Sequence, residues 1–147
     1  MAARSESVAR AVPEKGAIAK DLLKQYPGTK IETRNILEYI ERLKHEDVRK
    51  GTSHAEEYMR QIAPRIQANK QLMDRLEQAV QKIPDPLERS ILEMRYLNVN
   101  TCRLTGWNTV ALHLYHRDDA RTTSAVFRLH DRALRSLSVI LESGCEQ

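Results

Sequence analysis

The sequence predicts an all-α protein with an N-terminal helical, coiled-coil-like region and a C-terminal domain of three helices. Aromatic residues make up only 5% of the chain, and glycine and proline number five each in 147 residues, whereas good helix formers are abundant. Apolar residues recur at helical spacing along most of the chain. The net charge is +4, from 24 Lys and Arg against 20 Asp and Glu, which permits a nucleic-acid partner without requiring one.

Residues 1–16 are mostly small and polar, so we expect a disordered tail there. No apolar run matches a signal peptide or a membrane span, and we therefore expect no membrane partner. The two cysteines, Cys102 and Cys145, have neither metal-ligand spacing nor a disulfide framework around them. A reducing cytoplasm is therefore the expected location.

Two helices are predicted in the first 50 residues. Apolar positions follow the helical period over 17–26, and Pro27-Gly28 is expected to end that helix. Thr29 and Glu32 have the spacing of a capping box for a second helix over 30–50. This second helix carries an apolar stripe, which is expected to pack against a neighbouring helix.

The third predicted helix, over 53–83, has the most regular apolar pattern in the chain. Ser53 and Glu56 form a second capping box at its start, and Pro64 is expected to kink or split it. After Ala55, positions spaced alternately by three and four residues form a heptad seam, which is the predicted oligomerisation surface: Met59, Ile62, Ile66, Asn69, Met73, Leu76, Val80 and Ile83. This seam either pairs with another copy or folds back on the 30–50 helix as a hairpin, and the pattern does not choose between them.

Pro84-Asp85-Pro86 is a strong break, which we take as the boundary between a helical region, 17–83, and a C-terminal domain, 84–147. Three helical segments follow the break: LERSILEMRYL, WNTVALHLY and SAVFRLHDRALRSLSVILES. A helix, a short helix, a turn and a longer basic helix form the outline of a helix-turn-helix, although many helical bundles share that outline.

Several side chains of this domain are predicted to be structural. Trp107 begins the middle helix and is expected to fill the gap between the first and the third. His130 is expected to be packed and hydrogen-bonded, because it lies beside the apolar face of the last helix. Arg89 and Arg95 are expected to form ion pairs with neighbouring glutamates, each of which contributes little to stability.

The last helix separates its apolar and basic residues onto two faces. Arg128, Arg132 and Arg135 are spaced i, i+4 and i+7, so they form one stripe opposite the apolar face. Residues 84–147 contain eight Arg and eight Asp or Glu, whereas residues 121–135 contain four Arg and one Asp, a net charge of +3. Arginine suits this face because it forms bidentate contacts with guanine edges and phosphates.

Three blocks follow one another in this domain: D-P-x-E-R-x-I-L-x-x-R-Y-L from Asp85, W-x-x-V-A-x-x-L-Y from Trp107, and S-x-V-F-R-L-H-x-R-A-L-x-x-L from Ser124. Together they resemble region 4 of sigma factors, as found in small phage transcription regulators of the ArpU and RinA type. The resemblance covers a little over a third of the chain. A coiled-coil-like helical region ahead of such a module is also similar to that group.

The resemblance implies a phage- or prophage-encoded transcription regulator that binds double-stranded DNA sequence-specifically in the cytoplasm of a bacterial host. Nothing in the chain resembles the part of a sigma factor that melts promoters, so an accessory regulator is implied. The last helix is expected to enter the major groove, and a helix N-terminus can hold a phosphate. The expected DNA-binding residues are Arg103, Arg121, Thr122, Thr123, Ser124, Arg128, Arg132 and Arg135.

The turn HRDDARTT departs from the sigma pattern. It makes the spacing from Val110 to Val126 longer than usual by about one helical turn. Asp118 and Asp119 in this turn would repel phosphate if they faced DNA. The turn therefore decides how closely the basic face of the last helix approaches DNA.

Two other classes of function, an assembly protein and an enzyme, compete with this hypothesis. In the second hypothesis the chain is an assembly protein whose helical region recruits a partner such as RNA polymerase or a packaging complex, and the basic face is merely solvated. A ring-forming small terminase-type subunit is a variant of it. An enzyme is not expected, because the sequence has no glycine-rich phosphate loop, no motif around either cysteine and scattered histidines. No metal or other cofactor is expected either.

Overall fold

The computed structural model describes residues 16–145, and within this range the all-α prediction is confirmed. The helices described are α1 Ala17–Lys50, α2 His54–Gln81, α3 Pro86–Leu92, α4 Trp107–Tyr115 and α5 Ala120–Cys145, and a π-helical turn, Glu93–Leu97, continues α3. Apart from Gly16, the predicted tail lies outside the described residues. No helix between residues 16 and 145 is long and apolar enough to cross a membrane.

Helix α1 is one continuous helix of 34 residues, so the predicted break at Pro27-Gly28 is wrong. Pro27 lacks an N–H and removes one backbone hydrogen bond from the helix. It is buried together with Leu23 and Tyr26, and this burial offsets the lost bond. Thr29 and Glu32 lie inside the helix, so the predicted capping box between them is wrong as well.

The turn between α1 and α2 is stabilised by Asp47. The hydrogen bonds that its carboxylate accepts come from Thr52 Oγ1 (2.5 Å), the Ala55 N–H (2.7 Å) and the His54 N–H (3.1 Å). The Thr52 hydroxyl and these N–H groups hold the pKa of Asp47 below its ordinary value. Ser53 makes no capping bond through its side chain, so the predicted Ser53–Glu56 capping box is wrong and Asp47 takes its place.

Helices α1 and α2 pack as an antiparallel hairpin, one of the two arrangements that the heptad pattern allows. Tyr26 Oη donates a hydrogen bond to the Glu77 carboxylate (2.7 Å). Farther along the hairpin, the Glu32 carboxylate accepts two bonds from Arg65 (2.6 and 2.9 Å) and one from Asn69 Nδ2 (3.0 Å). Asn69, the polar residue of the seam, is thus bound within its own chain.

The seam of α2 is divided between the core and the surface. Leu76, Val80 and Ile83 are completely buried. By contrast, Met59 is 41% exposed, and the seam residues that are half-buried are Ile62, Ile66, Asn69 and Met73. Helix α2 continues through Pro64 without splitting. Only the N-terminal part of the seam therefore remains at the surface.

Helix α3 begins where the sequence predicts. Asp85 accepts a hydrogen bond from the Leu87 N–H (2.8 Å) and caps the helix, with Pro86 in its first turn. The ion pairs predicted for Arg89 and Arg95 are wrong, because both guanidinium groups donate to backbone carbonyl oxygens instead. The acceptors are Ile83 (2.5 Å) and Pro84 (3.3 Å) for Arg89, and Thr105 for Arg95. Both arginines therefore hold connecting segments in place.

One hydrophobic core joins the helical hairpin to the C-terminal helices. Its completely buried members come from all five helices and the π-helical turn and include Leu23, Leu76, Val80, Ile83, Ile91, Leu92, Tyr96, Val110, Val126, Leu129 and Leu137. Lys30 on α1 also donates to the carbonyl oxygens of Leu97 (3.2 Å) and Val99 (3.4 Å). The segments on either side of Pro84 therefore pack as one unit.

Candidate nucleic-acid interface

Helix α4 packs against the N-terminal half of α5. Trp107, the first residue of α4, packs edge-to-face against Phe127, with ring centroids 5.2 Å apart, and against His130 at 4.7 Å. Tyr115, the last residue of α4, and Ala125 on α5 border the same groove. The Arg95 guanidinium, from the first predicted helix of this domain, also lies over the Trp107 ring. Trp107 therefore lies between the first and the third helix, as predicted.

The turn before α5 is closed by Asp119. Its carboxylate accepts a hydrogen bond from the Thr122 N–H (2.9 Å) and pairs with Arg117 (2.9 Å). The Thr122 N–H, together with the positive charge of Arg117, lowers the pKa of Asp119. Asp119 is thus a helix cap, with its charge directed at the N-terminus of α5.

Because of this cap, α5 begins at Ala120, four residues before the start predicted at Ser124. The additional residues of the turn form an extra helical turn at the start of α5. The hydroxyls of Thr122 and Thr123 both donate to the Asp119 carbonyl oxygen (3.0 Å each). The N-terminus of α5, predicted as a phosphate contact, is therefore occupied by the chain's own carboxylate.

Arg128, Arg132 and Arg135 share one exposed face of α5 and line the same groove, of about 430 Å³. Arg121 and Ser124 are exposed on the preceding turns of the same face. Tyr115, Ala125 and Asp131 complete the groove, and Asp131 is the one carboxylate among the described residues that line it. We refer to Arg128, Arg132 and Arg135 as the arginine row. It presents a basic surface interrupted by a single acid.

Arg103 does not line this groove. It is exposed in the connection before α4, and its backbone N–H donates to Thr101 Oγ1 (3.2 Å). The same connection is held by Arg95, whose guanidinium lies over the Trp107 ring, 4.1 Å from its centroid. The structure therefore brings the three arginines of α5 together and leaves Arg103 on a separate loop.

Tyr115 belongs to the groove but is not among the predicted site residues. Its place in the sequence could have predicted this, because the last residue of a short helix before a tight turn must lie near the start of the next helix. His116, directly after it, has a left-handed backbone (φ 62°) that reverses the chain. Tyr115 is therefore held at the edge of the groove by the turn.

His130 supports the base of this interface, and the prediction of a packed, hydrogen-bonded histidine is confirmed. It is buried, and its Nε2 shares a 2.7 Å hydrogen bond with Tyr96 Oη. Burial lowers the pKa of His130 to about 4, and the nearby positive charges of Lys20, Arg95 and Lys24 act in the same direction, against Asp131. The imidazole is therefore neutral at physiological pH.

We expect the free energy of unfolding to fall as the pH drops from 6.5, the ordinary histidine value, to about 4. In this range the unfolded chain binds a proton on His130 that the folded chain excludes, so stability is full above the window and is lost towards its lower end. Replacing His130 with Gln, which retains a partner for Tyr96, should flatten this dependence. Urea denaturation at stepped pH measures it, and an unchanged slope in H130Q contradicts a buried neutral histidine.

Among residues 16–145, no group of three or more His, Cys, Asp and Glu side chains has an arrangement suited to a metal ion. Comparisons of the chain with protein-family models, with curated proteins and with solved structures give no match.

Proposed function

We propose that this chain is a sequence-specific, DNA-binding transcription regulator, phage- or prophage-encoded, whose helices α3, α4 and α5 act as a sigma region 4-like helix-turn-helix. The observation that carries the proposal is the arginine row, exposed on the helix against which α4 packs. In helix-turn-helix proteins the second helix of the motif lies in the major groove while the preceding helix crosses the DNA backbone. Helices α4 and α5 would take these two places.

The chemistry of the groove suits a DNA duplex. Each guanidinium of the arginine row can bind a guanine edge or a phosphate through two parallel hydrogen bonds. Asp131, in the middle of the row, can accept a hydrogen bond from the amino group of cytosine. A face with both kinds of group distinguishes base pairs better than a uniformly basic face, which binds any phosphate backbone.

The deciding experiment is a selection of bound duplexes from a random DNA pool at physiological salt. Enrichment of a defined site is the expected result, because base contacts contribute energy that phosphate contacts alone do not. If the full chain retains DNA without enriching any sequence, it is not a sequence-specific reader. If it retains no DNA, the proposed function is wrong.

The proposal includes a homo-oligomer formed through the exposed part of the heptad seam. Here α1 and α2 border a groove of about 650 Å³ with an apolar floor of Leu37, Ile40, Met59, Ala63 and Ile66. Its rim carries two acidic and two basic side chains, Glu41, Lys44, Lys70 and Asp74. Glu41 and Lys44 pair with each other within the chain (3.2 Å). A second copy related by a two-fold axis can pair Lys70 of one copy with Asp74 of the other across a shared apolar contact.

We expect a dimer in solution, and we expect Met59→Glu to convert it to a monomer by placing a charge in the apolar contact. Val48→Glu is the matched control, because Val48 is 87% exposed and does not line the groove. Light scattering coupled to size exclusion gives the mass of each variant. A wild-type monomer contradicts the dimer, and a large ring favours the assembly function instead.

A further inference from the structure

The first turns of α1 lie against the DNA-facing helix α5, although they are far from it in sequence. Gly16 has a positive φ of 102°, and a Cβ placed there would lie 3.3 Å from Leu134 Cβ. Leu134 directly precedes Arg135 and lies one helical turn after His130. The contact between α1 and α5 therefore borders the face that carries the arginine row.

Lys20 and Lys24 extend from this contact along α1. Gly16, Lys20 and Lys24 are spaced by four residues, so they follow one row of the helix, and the Lys20 N–H donates to the Gly16 carbonyl (2.9 Å). Both lysines are exposed. Within residues 16–145, neither belongs to a side-chain ion pair. Their ammonium groups therefore place exposed positive charge beside the contact between α1 and α5.

Lys20 and Lys24 lie close enough to His130 on α5 for their charges to act on it. Their charges disfavour protonation of His130, whereas the charge of Asp131 favours it. Asp131 lies in the groove of the arginine row. Lys20, Lys24 and the one carboxylate of that groove thus all lie near His130.

We propose that Lys20 and Lys24 extend the DNA-binding surface by contacting the phosphate backbone next to the arginine row. The inference rests on the proposed function and adds a second element to its surface. Lysine is a compact, mobile charge, which suits phosphate oxygens better than base edges. The start of α1 thus positions the chain on the duplex, and α5 reads the sequence.

The test compares two charge-matched variants of the full chain on a selected duplex and on a random duplex. Lys20→Ala/Lys24→Ala is expected to weaken binding about tenfold, equally on both duplexes, and to reduce the slope of log affinity against log salt by about 2. The control, Arg49→Ala/Lys50→Ala, removes two exposed charges from the other end of α1 and should change neither quantity. Lys20→Arg/Lys24→Arg should retain the wild-type slope.

Three results overturn the inference. One is a wild-type salt slope in the lysine-to-alanine variant, and another is an equal effect of the Arg49/Lys50 control. The third is a loss confined to the selected duplex, which would indicate base contacts. The proposed function fails separately: it fails when the wild-type chain enriches no site or when the arginine row proves dispensable, whatever the lysines do.

Discussion

Replacing Arg128, Arg132 and Arg135 together with alanine is expected to nearly abolish DNA binding while leaving the helical content unchanged. Each bidentate contact to a base contributes about 1–3 kcal/mol, so the loss of three weakens binding by at least about 3 kcal/mol, which is more than a hundredfold. The side chains are exposed, and the apolar face of α5 beneath them stays intact. Alanine is also the best helix former.

Fluorescence anisotropy of a labelled duplex measures this loss, and far-UV circular dichroism measures the helical content. Arg34→Ala/Arg49→Ala/Arg60→Ala is the matched control, because it removes three exposed arginines from the hairpin. The control should bind the duplex with nearly the wild-type affinity, lowered only slightly by the loss of three positive charges from the chain. If binding in low salt survives the loss of the arginine row, α5 is not the helix that reads DNA.

The arginine row was predictable because everything that defines it is local. A spacing of i, i+4 and i+7 places three side chains on one face of any helix, and the apolar residues between them select the buried face. Leu129 and Leu137 are buried as that pattern requires. The strong break at Pro84-Asp85-Pro86 was equally local, and α3 begins there.

The continuity of α1 was not predictable from local signals. Pro27-Gly28 has the composition of a helix end, but Tyr26 binds Glu77, which is 51 residues farther along the chain. Tertiary burial around Pro27 outweighs the local preference of Pro27-Gly28 to end a helix. The residues near Pro27 in the sequence do not indicate this burial. The proximity of Lys20 to α5 depends on the same long-range packing.

The start of α5 was ambiguous for a different reason. Asp119 and Ser124 are both good capping residues, and either can begin a helix in this stretch. Asp119 takes the position because its carboxylate can reach the Thr122 N–H and pair with Arg117. The resulting extra turn moves Arg121 from the predicted turn onto the exposed face of the helix. Because α5 begins at Ala120 and not at Ser124, the exposed face of this helix is one turn longer than predicted.

Truncating Leu23 on α1 is expected to destabilise the C-terminal helices as much as the hairpin. Leu23 is completely buried in the core that it shares with α5. Leu23→Ala removes most of a buried side chain and leaves a cavity, which costs about 2–5 kcal/mol. Because one core serves both segments of the chain, the loss should lower the stability of the whole unit.

Trp107 makes this expectation measurable, because it is the only tryptophan of the sequence and lies in α4, beyond the Pro84 break. Its fluorescence should follow the same denaturation curve as far-UV circular dichroism, and Leu23→Ala should shift both curves together. Val48→Ala, on the same helix but 87% exposed, should change stability by no more than about 0.5 kcal/mol. If Leu23→Ala leaves the Trp107 transition in place, residues 84–147 fold independently, and the hairpin does not support the helix that carries the arginine row.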